Sequence, residues 1–206
     1  RVSREMLETN DRLRLIQQVG AGLEGVDIAA ARDLGIYVAN VPADISGNAD
    51  SVAELAIYML IGLSRDIPGM AESLSHRQMG VPLGRSLAGK TIGLVGLGGI
   101  GKALIKRLTP FNVRLAAIKR DNPSRAKEEF GLDWAGTPRE LPELLRRSDY
   151  VILALPLTTE TQRLMNRKTF SYMKKGAFLI NLARGGLVDR DALEESLASG
   201  HLAGAG

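Results

Sequence analysis

The chain has 206 residues, 45% of them hydrophobic and 24% charged, a balance that excludes intrinsic disorder, a collagen-like repeat and a coiled coil. With no cysteine and only two histidines, disulfides, iron–sulfur clusters and a cysteine nucleophile are excluded, and no metal is expected. The net charge of +4 comes from basic residues scattered among 23 acidic ones with few aromatics, so no nucleic-acid partner is expected. The best apolar run, residues 53–63, is short and carries Glu54, so no membrane partner is expected either.

From the N-terminal side, residues 13–16 read as a strand that ends in the loop Val19-Gly20-Ala21-Gly22. A short helix is expected over residues 26–34 with Gly35 at its C-terminal cap. A strand over residues 36–40 is stopped by Val41-Pro42. The longest helix comes next. Val52, Leu55, Ala56, Met59, Leu60 and Leu63 form one apolar stripe at helical spacing, expected to be core. Asn48 or Asp50 can cap its start, and Ile67-Pro68 interrupts it. Residues 84–89 read as a loop, 91–95 as a strand, 96–101 as a glycine turn and 100–108 as a helix. After a strand over 113–118 come a polar loop, a short element near Leu132 and a helix through Arg147 with Pro142 in its first turn. Strands are expected over residues 150–155, ended by Pro156, and over 177–181. Asp191 with Glu194 can form a capping box for a helix that Gly200 ends, and Leu202-Ala203 opens one more strand. Both ends read as cut: the chain begins at Arg1 and stops inside a Gly-Ala-Gly stretch. Strands alternating with helices imply an α/β fold, a doubly wound, mainly parallel sheet.

Gly96-Leu97-Gly98-Gly99-Ile100-Gly101 fits G-x-G-x-x-G. Because it follows an expected strand and opens an expected helix, it reads as a dinucleotide fingerprint rather than a chance glycine cluster. Gly96 permits the tight turn, Gly98 lets the backbone approach a pyrophosphate, and Gly101 lets helix and strand pack closely. The helix N-terminus offers unpaired N–H groups and partial positive charge to the phosphates. The second strand ends Ile118-Lys119-Arg120, where an NAD binder usually carries a carboxylate for the ribose hydroxyls. A carboxylate repels a 2′-phosphate, whereas Lys119 and Arg120 attract one. The expected cofactor is NADP. If the two cations are merely solvated, the alternative is NAD; Asp121 lies two positions beyond the usual acid.

With these residues in hand, the chain resembles the D-isomer-specific 2-hydroxyacid dehydrogenases, a family with glyoxylate/hydroxypyruvate reductases, phosphoglycerate dehydrogenases and formate dehydrogenases. The resemblance rests on five segments: residues 20–24, 48–54, the fingerprint itself, Ala154-Leu155-Pro156-Leu157-Thr158, and the run from Asn181 through Arg184 to Asp189. It implies a Rossmann dinucleotide-binding domain over residues 45–206 with its last strands missing. It implies before it, over residues 1–44, the C-terminal part of a flavodoxin-like substrate domain. The implied activity is hydride transfer between NAD(P)H and a small 2-oxo acid or D-2-hydroxy acid, by a cytoplasmic homodimer.

The resemblance also implies residue roles. Arg184 is the catalytic arginine that holds the substrate carboxylate and polarises its carbonyl; the backbone at Ala21 and Gly22 binds the carboxylate, and Asn48 contacts substrate. Gly99 and Ile100 touch the pyrophosphate, Lys119 takes the place of the ribose-reading acid, and Leu155, Pro156, Leu182 and Ala183 line the adenosine and nicotinamide sites. The chemistry suits an arginine: hydride addition to a ketone develops negative charge on oxygen, and a guanidinium can grip a planar carboxylate with two parallel hydrogen bonds while facing that oxygen. The substrate loop departs from the usual Gly-x-Asp, reading Gly22-Leu23-Glu24. The family's acid/base histidine and its glutamate are expected beyond Gly206, and neither His76 nor His201 sits in a matching motif. Two other readings are a cofactor-sensing regulator, which needs the glycine turn but not Arg184, and an inactive fragment with no more than trace turnover.

Overall fold

Residues 1–42 and 46–206 are described by a computed structural model, which divides between Ala49 and Asp50 into two units. The boundary expected between Asp44 and Ile45 lies outside the described residues.

In the first unit, α1 (Arg4–Glu8) precedes β1 (Leu15–Gln17), and α2 (Ile28–Asp33) carries the chain over to β2 (Tyr37–Ala39). The two strands run parallel with Leu15 opposite Tyr37, a pairing that requires such a crossover. The α2 helix starts two residues later than its apolar pattern suggests, because the Asp27 carboxylate accepts the Ala30 N–H at 2.9 Å and so occupies the cap. It ends as expected at Gly35, whose φ of +66° is the left-handed conformation glycine adopts without penalty. Leu7, Ala30, Ala31 and Ile36 close a small core of their own.

The second unit is built on a six-stranded parallel sheet. Its elements are α3 (Asn48–Arg65), α4 (Ile67–Ser75), β3 (Thr91–Val95), α5 (Gly99–Leu108), β4 (Arg114–Ile118), α6 (Pro123–Phe130), β5 (Trp134–Gly136), α7 (Leu141–Arg147), β6 (Tyr150–Leu153), α8 (Arg167–Phe170), β7 (Ala177–Asn181), α9 (Arg190–Ala198) and β8 (Leu202–Ala205). The strand order is β5-β4-β3-β6-β7-β8, the 3-2-1-4-5-6 arrangement of doubly wound dinucleotide-binding sheets. Every residue of β3 and β6 is buried, as continuous apolar runs covered on both faces must be. Side chains alternate between two cores: Ile92, Leu94, Leu104, Tyr150 and Ile180 on one face, Val95, Leu144, Val151, Leu153 and Leu179 on the other.

Several local expectations are corrected. Asn48 and Asp50 both lie inside α3 rather than at its cap, and the Asp50 carboxylate instead accepts from Arg107 at 2.7 Å, with Glu54 on the same guanidinium at 3.2 Å. The buried face of α3 runs through Ala53, Ala56 and Leu60, while Leu55 is 49% exposed; the helix is rotated relative to the stripe read from its spacing. Ile67-Pro68 opens a second helix: Asp66 turns left-handed and caps it by accepting the Gly69 N–H at 3.2 Å. The polar loop after β4 contains a helix, α6, which buries only Ala126 and so lacks the apolar period that marks one. Asp189, not Asp191, caps α9, accepting the Ala192 N–H at 3.1 Å. Among the described residues, no helix is long and apolar enough to cross a membrane.

Candidate functional site

The sheet order reverses between β3 and β6, and in such sheets the crevice beyond the strand carboxyl ends at that point receives ligands. Gly96 leaves β3 with φ +103°, and a Cβ built there would stand 2.4 Å from the Ala154 carbonyl oxygen. Only glycine lets the turn after β3 touch the loop after β6. At Gly101 a Cβ would meet the Gly96 carbonyl oxygen at 2.7 Å, so α5 can pack this closely against the turn only without a side chain. Gly98 is different: nothing lies within 4 Å of its Cβ position. It is the cap residue of α5 and its place is filled by no side-chain hydrogen bond, which leaves first-turn N–H groups at Gly99 and Ile100 aimed outward. A cradle closed at Gly96 and Gly101 and open at Gly98 fits a pyrophosphate.

The cleft above this cradle has a volume of about 470 Å³. Of the residues singled out in the sequence, Gly96, Gly98, Lys119, Arg120, Leu155 and Pro156 line it. Gly99, Ile100 and Gly101 form the first turn of α5 immediately behind. The Lys119 N–H is tied to the Gly136 carbonyl at 2.9 Å, which extends the β4–β5 ladder and sets the lysine at the cleft. The Arg120 side chain is 87% exposed, with its Nε 3.5 Å from an Asp121 carboxylate oxygen. Asp121, which the sequence marks as an acid two positions late, lines the cleft too; Pro138, Leu141, Glu160, Leu164, Thr158 and Thr161 also line it, and sequence reasoning did not select them. A signal existed for the two threonines: in Thr158-Thr-Glu-Thr161 the Thr161 hydroxyl accepts the Thr158 N–H at 2.7 Å and donates to the Pro156 carbonyl at 2.8 Å, folding the loop back on itself. Pro138 and Leu141 arrive from beyond β5 and carry no local signal.

Leu182, Ala183 and Arg184 do not line that cleft; they follow β7, beside the end of β6. The Leu182 N–H donates to the Leu153 carbonyl at 3.1 Å. The Asn181 side chain organises the turn after β7, accepting the Ala183 N–H at 3.1 Å and donating to the Arg184 carbonyl at 2.9 Å. Arg184 is exposed, with extended backbone (φ −140°, ψ 140°) and an Nη1 contact of 3.0 Å to the Ala183 carbonyl. Its side chain does not serve as a helix cap, since it makes no such hydrogen bond to the short turn it precedes.

In the first unit, the loop of Ala21 and Gly22 follows β1. Among the described residues neither of their backbone N–H groups meets a hydrogen-bond acceptor. Asn48 opens α3, its N–H 3.4 Å from the Ser46 hydroxyl. The histidines are engaged elsewhere: His201 Nε2 lies 2.9 Å from the Phe170 carbonyl, and His76 Nδ1 3.0 Å from that of Glu72.

Residues 57–206 match the model of the D-isomer specific 2-hydroxyacid dehydrogenase NAD binding domain. Along its whole length the chain is 37% identical to the glyoxylate reductase of Pyrococcus horikoshii and 33% identical to the hydroxypyruvate reductase of Thermotoga maritima, spanning 62% and 65% of those proteins. It superposes on the crystal structure of an NAD-dependent formate dehydrogenase from Staphylococcus aureus in complex with NAD with a TM-score of 0.86 and 36% identity, over 99% of this chain and 60% of that one. The chain therefore spans about three fifths of the length of these relatives. Cradle, strand order and sequence converge, and the chain belongs to the D-isomer specific 2-hydroxyacid dehydrogenase family.

Proposed function

We propose that this chain is the cofactor-binding and substrate-clamping part of a dehydrogenase that moves a hydride between a nicotinamide dinucleotide and a small 2-oxo acid or D-2-hydroxy acid. The observation that carries the reading is the glycine cradle, closed by backbone at Gly96 and open at Gly98, at the switch point of the sheet. When bound, the dinucleotide supplies the hydride; everything else falls to the protein. The α5 N-terminus holds the pyrophosphate, and Leu155, Pro156, Leu182 and Ala183 flank the adenosine and nicotinamide ends. Arg184 grips the carboxylate through its fork and stabilises the charge that develops on the carbonyl oxygen; lysine, a point charge, cannot do both. The N–H groups of Ala21 and Gly22 and the side chain of Asn48 are proposed substrate contacts. Neither histidine is proposed as the proton donor, given its carbonyl partner.

Within that reading the preferred cofactor is NADPH. Two cations, Lys119 and Arg120, line the cleft directly after β4, where the second ribose would lie; Asp121 follows them, and the cleft's other carboxylate, Glu160, belongs to the loop after β6. A charge-assisted hydrogen bond is worth about 1.5–3 kcal/mol, or roughly 10- to 100-fold in affinity. Parallel titrations with NADPH and NADH, read by nicotinamide fluorescence or by quenching of the single tryptophan, Trp134, test this. NADPH should bind at least tenfold more tightly, and Lys119→Asp combined with Arg120→Ala should reverse the order. Equal or tighter NADH binding by the unaltered chain removes the phosphate reading and leaves the family untouched.

The protein is further proposed to be a homodimer joined through α3 and α4, which leave the large apolar side chains of Tyr58, Ile61, Ile67, Met70 and Leu74 exposed; apolar surface of this kind marks candidate interfaces. Sedimentation of Tyr58→Glu with Ile61→Glu should give a monomer where the unaltered protein gives a dimer.

A further inference from the structure

The loop of Ala21 and Gly22 is tied to the end of β2 by both main-chain and side-chain hydrogen bonds. Gln18 donates its N–H to the Ala39 carbonyl at 2.8 Å, and Val41 donates to the Gly20 carbonyl at 3.3 Å. Between them the Asn40 side chain donates from Nδ2 to the Ala21 carbonyl at 2.8 Å. Two consecutive carbonyls, of Gly20 and Ala21, are thus turned toward the β2 side. In a trans peptide the N–H points opposite to the C=O of the same unit. Holding the Gly20 and Ala21 carbonyls therefore holds the N–H groups of Ala21 and Gly22 facing away from β2, and neither meets an acceptor among the described residues. Two adjacent outward N–H groups make a small anion-binding concavity.

We infer that Asn40 is a positioning residue for substrate, fixing the Ala21–Gly22 peptide so that its N–H is presented to the carboxylate before substrate arrives. The inference rests on the proposal above that these N–H groups bind the carboxylate. Asn40 itself does not touch substrate. The backbone bonds at Gln18 and Val41 anchor the loop on either side, whereas the Ala21 carbonyl depends on this one side chain; without it the peptide can rotate, and each binding event must order it again. Aspartate in its place would turn the only donor into an acceptor facing the Ala21 carbonyl and drive the peptide over.

The test uses the full-length protein with glyoxylate as substrate and oxalate as a dead-end dicarboxylate, comparing Asn40→Ala, Asn40→Asp and Gly22→Pro, the last of which deletes the N–H itself. The expected result is a rise in KM for glyoxylate and in Ki for oxalate of about 3- to 10-fold in Asn40→Ala and more in Asn40→Asp. The Kd for NADPH should stay within twofold and kcat within threefold, a split that general loosening of the fold would not produce. If Gly22→Pro raises KM and Ki while both Asn40 variants leave them unchanged, the positioning role is overturned and the carboxylate contact stands. If Gly22→Pro leaves them unchanged, the carboxylate contact itself fails, and the role of Asn40 with it. A fall in kcat and in NADPH affinity equal to the rise in KM overturns the inference in favour of a merely structural asparagine.

Discussion

The turns after β3 and β4 open onto the same cleft but are held in opposite ways. The first is specified by backbone: Gly96 at φ +103° stands where any Cβ would strike the Ala154 carbonyl, and Gly101 is pressed against Gly96. The second ends in long side chains, Lys119 half-buried and Arg120 almost fully exposed beside Asp121, tied to the fold by one main-chain bond from Lys119 to Gly136. A pyrophosphate is common to every dinucleotide, so its cradle can be rigid and costly to alter. The ribose end distinguishes cofactors, and the two cations proposed to read it sit where substitution leaves the sheet intact. On that proposal, recognition of the class and choice within the class are built from different materials.

The largest effect should come from Gly96→Ala. It combines an unfavourable positive φ, about 1–2 kcal/mol, with a backbone clash of the kind that costs about 1–3 kcal/mol. Thermal unfolding should then fall by roughly 5–15 °C and NADPH binding should be lost. A variant with unchanged Tm and unchanged Kd would break the claim that this turn is backbone-specified. Gly98→Ala sharpens the same point from the other side. Its φ of −88° suits alanine and its Cβ position is empty, so Tm should move by no more than about 2 °C, while NADPH affinity falls at least tenfold because the methyl occupies the pyrophosphate's approach. Calorimetry and nicotinamide fluorescence on one preparation separate the two outcomes.

A smaller change is expected at the second turn. Asp121→Ala removes the carboxylate that competes for Arg120, and NADPH should bind about two- to fivefold more tightly, the range of an exposed ion pair. No change in stability should accompany it. Weaker NADPH binding would mean that Asp121 assists the cofactor, reversing its assigned sense.

The smallest effect belongs to the far end of the sheet. Burial acts to raise the Asp149 carboxyl pKa, but the Thr91 N–H at 2.8 Å and the Lys174 ammonium at 2.9 Å outweigh it and hold the pKa below its ordinary value. A depressed folded-state pKa contributes stability that is present above the unfolded value, about 3.9, and lost as pH falls through the folded one. Acid unfolding should therefore be shallower in Asp149→Asn than in the unaltered chain, with the curves differing in slope only below about pH 5. Parallel slopes would show that Asp149 contributes nothing through its charge. Cofactor affinity should not change, since Asp149 lies at the strand end opposite the cradle.

Much of the cofactor cradle was legible because it is local. Residues 91–95 and 177–181 are strands as the pattern indicates, since an apolar run buried on both faces needs no partner to be recognised. The glycines state their own turn: the conformations they adopt are closed to other residues at that spacing. What escaped was decided by packing at a distance. The α6 helix is nearly all solvated and shows no apolar period. Leu55 matches the stripe of α3 yet points out, because the contact with the sheet, not the spacing, chooses which face turns inward. Pro138 and Leu141 reach the cleft only because β5 pairs with β4, and Asn40 reaches Ala21 across 19 residues only because β1 and β2 lie parallel. The sequence by itself determined the alternating α/β order, the glycine turn and the arginine after β7, all written in neighbouring residues. The lining of the cleft, the face of each helix and the orientation of a single peptide were left to the tertiary structure, because strand pairing sets distances that no local spacing encodes.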